Sequence, residues 1–277
     1  MAPRRLGQHF LASAAWRDRI ARLVLGVPAP GDAEIRAPQA AARPGGLWIE
    51  IGAGHGEMTS LLARHAARLI AIELDPKLLP RLRERTADFP NVEVVAGDIL
   101  AMDLAELTGS RPFRAYGNLP YYITSPIVHR LLEHPESLLD AFLVVQLEVA
   151  ARMTARPGSR AYGYFSTFTQ FYAKPQILLR IPPGAFQPPP KVSSALVALR
   201  LPGERAQLGV GDEAGFVRFL KMCFAQKRKT LRNNLRSLMP ETRATALLPE
   251  AGIASNARAE QLGLPQLARL FAASKAE

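Results

Sequence analysis

Cysteine is nearly absent: Cys223 is the single example in 277 residues. That excludes an internal disulfide and any all-cysteine metal site, and the setting FLKMCF reads as the buried apolar face of a helix. A reducing cytoplasm fits such usage. No run of about 18 apolar residues occurs, so no membrane span is expected. The opening stretch MAPRRLGQHFLASAAWRDR carries charge where a signal peptide would need an apolar core. Internal repeats, a Cys/His cluster of zinc spacing and a phosphate-binding G-x-x-x-x-G-K-[ST] are all missing. Acidic residues are the scarcer charge, leaving a net charge of +11. Residues 181–277 hold 14 Lys/Arg against 7 Asp/Glu, so the C-terminal third carries most of the excess. Such charge points to a polyanionic partner, most often nucleic acid. An anionic membrane would need a strongly amphipathic anchor helix, which the sequence does not offer.

What is present is a regular alternation. LWIEIG (47–52), RLIAIELD (68–75), VEVVAGD (92–98), FRAYGNL (113–119) and DAFLVVQLEV (140–149) read as strands covered on both faces. EMTSLLARHA, PKLLPRLRERTA and SPIVHRLLEH between them read as helices, the second entered at Pro76 with Asp75 as its cap. This predicts an α/β fold: a Rossmann-like, doubly wound, mostly parallel sheet. QILLRI (176–181) and SSALVALRL (193–201) are expected to close it as an antiparallel pair. The Pro/Ala/Gly-rich segment 28–46 reads as a loop. Near residue 203 the pattern changes to a linker, LPGERAQLGVGDEAG, followed by helices only. The expected division is an α/β domain over 1–202, with a basic N-terminal arm over 1–28, and a small helical domain over 203–277.

The first strand runs into 50-EIGAGHGEMT-59, where Gly52, Gly54 and Gly56 permit a tight turn and close approach of a ligand before a helix. The spacing lacks the third glycine of the dinucleotide fingerprint. Glu73, 19 positions after Gly54, ends the second strand, where a carboxylate can accept both hydroxyls of a ribose. Asp98 ends the third, placed to accept from an adenine amino group. Both acids could instead be helix caps, but three ligand-competent features at successive carboxyl ends of a parallel sheet favour a nucleotide pocket.

The fourth strand ends in 116-YGNLPYYITSP-126. Turns use Asn and Pro but have little need for paired tyrosines. An aromatic amine is a poor nucleophile because its lone pair is delocalised. The Asn118 side-chain oxygen and the Leu119 carbonyl could hold its hydrogens and draw the nitrogen out of plane. Pro120 fixes the backbone, and Tyr121 offers a face on which a base stacks, worth about 1–3 kcal/mol.

In this order, GQHFL, E-x-G-x-G, an acidic second-strand end, GD and NLPY resemble the S-adenosylmethionine-dependent adenine-N6 methyltransferases of ribosomal RNA. The segments 182-PPGAFQPPPKVSSALVAL-199 and 224-FAQKRKTLRNNL-235 are similar to the KsgA-type small-subunit dimethyltransferases, over roughly residues 4–270. The resemblance implies an S-adenosyl-L-methionine site lined by His9, Leu11, Gly52, Glu73, Asp98 and Asn118, with Gly54 in the same turn, and no metal. It implies that Asn118 to Tyr121 hold the target adenine and that Phe186 stacks on its other face. His9 stands where the family usually has Asn, and Lys227 where it usually has Arg. The implied reaction adds two methyls to each of two adjacent adenosines near the 3′ end of small-subunit rRNA. The implied partner is rRNA within a pre-30S particle, bound by a cytoplasmic monomer with no membrane role.

Methyl transfer from a sulfonium does not demand a strong base, and none is evident beside NLPY; His129 and His134 read as surface residues of the following helix. Positioning and charge stabilisation would carry the reaction, on a base taken out of its stack. Lys227, Arg228, Lys229, Arg232 and Asn233 fit phosphate contact better than a merely solvated helix face. Two rivals share the scaffold: a large-subunit rRNA methyltransferase of the antibiotic-resistance type, and a non-catalytic RNA-binding assembly or transcription factor. A NAD-dependent dehydrogenase fails on the glycine pattern.

Overall fold

The computed structural model describes residues 9–27 and 45–275. Residues 1–8 of the basic arm and nearly all of the 28–46 loop therefore lie outside the described residues. Nine strands are described: β1 (Phe10–Leu11), β2 (Leu47–Ile51), β3 (Arg68–Glu73), β4 (Val92–Ala96), β5 (Phe113–Asn118), β6 (Leu138–Gln146), β7 (Lys174–Ile181), β8 (Phe186–Gln187) and β9 (Ser194–Arg200). The helices are α1 (Ala14–Leu25), α2 (Glu57–Ala63), α3 (Leu79–Thr86), α4 (Leu104–Thr108), α5 (Thr124–Leu132), α6 (Leu147–Met153), α7 (Tyr164–Tyr172), α8 (Arg205–Leu208), α9 (Glu213–Cys223), α10 (Leu231–Leu235), α11 (Glu241–Glu250) and α12 (Leu264–Lys275).

Seven strands form one sheet in the order β4-β3-β2-β5-β6-β9-β7. β2 pairs in parallel with β3 and β5, β3 with β4, and β5 with β6, while β9 runs antiparallel to β6. This is the expected doubly wound sheet, reversed in order after β2 and closed by the late antiparallel strand. A crevice at the carboxyl ends of β2 and β5 follows from that reversal. One face is packed by α1 through Ile20 and Val24 onto Trp48, Leu69 and Phe142, with Tyr116 in the same cluster; Trp48 and Phe142 stack at 6.3 Å. On the other side Ala53 and Ala71 meet Leu79 and Leu82 of α3.

The chain divides into two compact units, one running to Ala150 and including Gln176–Leu201, the other holding Ala151–Pro175 and Pro202–Glu277. The single boundary expected at 202/203 is thus corrected for 151–175. The cause is aromatic packing: Phe171 of α7 meets Phe216 of α9 at 5.1 Å, and Phe216 meets Phe271 of α12 at 5.4 Å. The expected linker is also pinned. Gly203 N donates to the Tyr172 carbonyl at 2.9 Å, and a Cβ at Gly203 would sit 2.4 Å from Ala173 N, so only glycine fits. Asp75 caps a turn rather than α3: its Oδ1 accepts from Lys77 N at 2.9 Å, and the helix begins at Leu79. Among the described residues no helix is long and apolar enough to cross a membrane.

Candidate nucleotide and base site

The loop after β2 turns three times through the left-handed region, at Gly52, Gly54 and Gly56. Glu73, at the end of the neighbouring β3, ties this loop down. Its carboxylate is 1% exposed and accepts from Gly54 N at 2.7 Å and from Asp75 N at 2.8 Å. Each oxygen keeps a further lone pair, so the carboxylate can order the loop and still accept from a ligand.

The N-terminal arm lies across the same loop. β1 pairs antiparallel with β8, with Leu11 opposite Phe186, and a Cβ on Gly54 would meet the Phe10 ring at 3.3 Å. Asn118 at the end of β5 donates from Nδ2 to the His9 carbonyl at 2.8 Å. Among the described residues its Oδ1 has no partner, so the acceptor half of the amide is left for an incoming donor. Because the contact uses the His9 backbone, it does not depend on the side chain at this position. The His9 ring is used elsewhere: Nδ1 donates to the Pro188 carbonyl at 2.8 Å, and the ring stacks on Tyr121 at 5.5 Å.

Leu119 N continues the β5 ladder to the Val144 carbonyl at 3.0 Å, which sets the NLPY backbone on the rigid sheet. Tyr121 follows in a short 3-10 turn, and its hydroxyl shares a hydrogen bond of 2.6 Å with Ser194 on β9. Burial raises the pKa of that phenol above its ordinary value, and the Ser194 contact partly offsets the rise.

These residues border a pocket lined by His9, Phe10, Gly52, Gly54, Glu73 and Asn118 to Tyr121. A second pocket shares Phe10, Gly52, Gly54 and Asn118 with the first. It is also lined by Leu11, Arg17, Glu50, His55 and Tyr116. Burial pushes the Glu50 carboxyl up to about 8; the Thr59 hydroxyl opposes the shift, and Glu73 and Glu57 add to it. A nucleoside with a charged amino-acid tail fits this set: acceptors for hydroxyls and an amine, apolar walls, and buried polar atoms lacking partners.

Most expected residues therefore converge, but two do not reach either cavity. Asp98 is half-buried, and its Oδ1 accepts from Leu100 N at 2.9 Å, capping the turn after β4. Phe186 is 3% exposed and packs in the core beneath the arm. Its placement on the far face of a base is corrected for this conformation, because pairing with Leu11 turns the ring inward. His129 and His134 are half-buried rather than surface residues, and neither lines a cavity. Glu50, Phe10 and Ser194 were missed. The usable signals were a lone carboxylate inside the apolar run LWIEIG and the aromatic within GQHFL.

In the second unit the basic run is not one helix. α9 ends at Cys223, and Thr230 caps α10, accepting from Asn233 N at 3.5 Å. Lys227, Arg228 and Lys229 are exposed on the intervening turn, Arg232 is half-buried on α10 and Asn233 is exposed. Asn234 explains the break: it is 4% exposed, and its Nδ2 donates to the Cys223 carbonyl at 2.7 Å, closing α9. Lys227 Nζ donates to the Arg160 carbonyl at 2.6 Å, joining a second basic loop to the turn.

The family model for ribosomal RNA adenine dimethylase matches residues 3–275. Over 271 residues the chain is 45% identical to ribosomal RNA small subunit methyltransferase A of Acidobacterium capsulatum, covering 96% of this chain and 89% of that one. Among solved structures it resembles the 23S rRNA methyltransferase ErmE, with a TM-score of 0.68 and 28% identity over 95% and 98% of the two chains. A dimethyladenosine transferase from Plasmodium falciparum shares the fold, with a TM-score of 0.75 at 23% identity over 95% and 96%. The crevice and the match along nearly the whole chain agree, and the chain belongs to the ribosomal RNA adenine dimethylase family of S-adenosylmethionine-dependent enzymes.

Proposed function

We propose that the chain dimethylates the N6 amines of two adjacent adenosines near the 3′ end of small-subunit (16S) rRNA, acting as a cytoplasmic monomer on a pre-30S particle. The observation that carries this reading is the Asn118 amide, whose nitrogen donates to the His9 carbonyl and which lines one pocket with Glu73, Pro120 and Tyr121. The greater identity to a small-subunit enzyme than to a large-subunit one supports the choice of particle.

In this reading Glu73 and the Gly52–Gly54 turn hold the nucleoside, the carboxylate accepting the ribose hydroxyls. Asn118 Oδ1 and the Leu119 carbonyl accept the two hydrogens of the target amine and draw its lone pair out of conjugation. When bound, S-adenosylmethionine supplies an electrophilic methyl on its sulfonium. The Tyr121 ring, with His9 against it and its hydroxyl on Ser194, is a pre-set platform for the flipped base. The chain contributes orientation and fixed dipoles rather than proton transfer. Lys227, Arg228, Lys229, Arg232 and Asn233 contact phosphates.

The test is methyl incorporation from labelled S-adenosylmethionine into unmodified small-subunit and large-subunit particles. Label in the small particle alone supports the proposal; label in the large particle alone overturns it in favour of the rival specificity. No transfer to either, with the cofactor bound, would support the assembly-factor reading.

A further inference from the structure

Exposed apolar side chains are ordinary when scattered and informative when gathered at a site. Among the described residues six large ones are exposed, and three of them, Leu74, Tyr122 and Val192, gather at the carboxyl edge of the parallel strands. Leu74 follows the end of β3 and Tyr122 lies in the turn after β5. Val192 precedes β9, which runs antiparallel and so begins at that edge. Tyr122 is the most exposed of the six, at 62%. None of the three lines either pocket.

The Tyr122 ring stands on a fixed backbone. Ahead of it Leu119 N is held by the Val144 carbonyl, and behind it Ile123 N donates to the Pro120 carbonyl at 3.2 Å. Thr124, which opens α5, is 1% exposed. The Tyr121–Ser194 hydrogen bond ties this turn to the segment that carries Val192, two positions before Ser194. Yet the Tyr122 side chain has neither a hydrogen bond nor an aromatic partner among the described residues. In a 3-10 turn successive side chains diverge by about 120°, so no single base can lie on both tyrosines. Tyr121 lines the pocket, and Tyr122 is left for something else.

Flipping supplies that something. A base taken out of its stack leaves its neighbour in the strand without a stacking partner on one side. An aromatic face binds such a base whatever its identity. Lys191, next to Val192, is exposed and has no ion pair among the described residues, so a cation is available to a phosphate of the same strand.

We infer that Tyr122 is the stacking seat of the base that neighbours the target adenine, bordered by Val192 as an apolar flank and Lys191 as a phosphate contact. The inference rests on the reading of the NLPY segment as the base pocket. While one adenine occupies the pocket, its neighbour lies on Tyr122, and the bent strand is held on both sides of the bend. Tyr122 touches neither the cofactor nor the reacting amine. It acts on the binding of RNA.

The experiment is methylation kinetics on unmodified small-subunit particles with wild type, Tyr122→Ala and Tyr122→Phe. Tyr122→Ala should raise KM for the particle about 5- to 30-fold, as when a base loses an aromatic platform, with kcat within about twofold. Tyr122→Phe should keep KM near wild type, because the ring stacks without its hydroxyl. S-adenosylmethionine affinity and thermal stability should stay unchanged in both variants, whereas a structural side chain would move stability. The variants are then compared on particles carrying an abasic nucleotide on one side of the target or on the other. For one of the two sides the Tyr122→Ala penalty should vanish, since the ring then has no base to lose. A KM unaffected by Tyr122→Ala, or a penalty that survives on both abasic particles, overturns the inference. With a wild type that methylates the intact particle, those results sink this inference alone. A wild type that binds S-adenosylmethionine but methylates no particle sinks the pocket reading on which it rests.

Discussion

Asn118 and His9 are 109 positions apart, yet the amide of one donates to the backbone carbonyl of the other at 2.8 Å. The contact joins the arm to the strand end and decides which half of the amide faces the pocket. Asn118→Ala removes the acceptor and loosens the arm. The turnover number should fall on the order of 10²–10³-fold, as for loss of one preorganised catalytic hydrogen bond. Cofactor affinity should change much less. Single-turnover kinetics with separate binding measurements check both.

Glu73→Ala should weaken S-adenosylmethionine binding by about 1.5–3 kcal/mol if the carboxylate holds the ribose. The structure adds a second consequence, because the same carboxylate carries the Gly54 and Asp75 amides. Thermal stability should therefore fall as well. Calorimetry showing lost stability with unchanged affinity would leave Glu73 with the loop-capping role alone.

Tyr121→Phe should be milder than Tyr121→Ala, since a base stacks on the ring. It should not be silent, because the hydroxyl is tied to Ser194, a fully buried residue. A loss of about 1 kcal/mol or more in stability is expected when that bond goes. Ser194→Ala should reproduce it with the ring still in place. Chemical denaturation and methylation rates on both variants decide the matter.

What was legible in the sequence follows from physical locality. Strand ends announce themselves by the residues that terminate them, so Gly52, Glu73 and Asn118 could be placed before any fold was known. The Tyr121–Ser194 and Glu50–Tyr116 pairs could not, because they depend on register between strands far apart in the chain. Phe186 failed for the same reason: pairing of β8 with β1 turns its ring into the core. The basic segment looked like a continuous helix because its composition is helical. Thr230 as a cap and Asn234 bonded back to Cys223 break it locally.

Glu50 also predicts a pH dependence of stability. Its folded pKa is raised from the usual 4.5 to about 8, so its stabilising contribution is complete below 4.5 and is lost as pH rises toward 8. Within that window the wild type should lose about 1.4 kcal/mol per pH unit relative to Glu50→Gln, which cannot ionise. Denaturation of the unliganded proteins across the window should show the variant gaining ground steadily. Parallel curves would mean that Glu50 titrates normally.

The basic turn separates RNA binding from chemistry. Replacing Arg228, Lys229 and Arg232 together by Ala should shallow the logarithmic salt slope of particle binding by about one unit for each phosphate left without its cation. Cofactor affinity should stay near wild type. Arg232 is half-buried, so the double variant at exposed Arg228 and Lys229 controls for damage to the fold. An unchanged slope in both would leave the run a solvated surface.

The most direct measurement is nucleoside analysis of small-subunit rRNA after incubation of unmodified particles with S-adenosylmethionine and either wild-type protein or Asn118→Ala. N6,N6-dimethyladenosine should accumulate at two adjacent positions near the 3′ end with the wild type, and fall sharply with the variant. A wild type that leaves those adenosines unmethylated, or an Asn118→Ala variant that methylates them at the wild-type rate, would contradict the account.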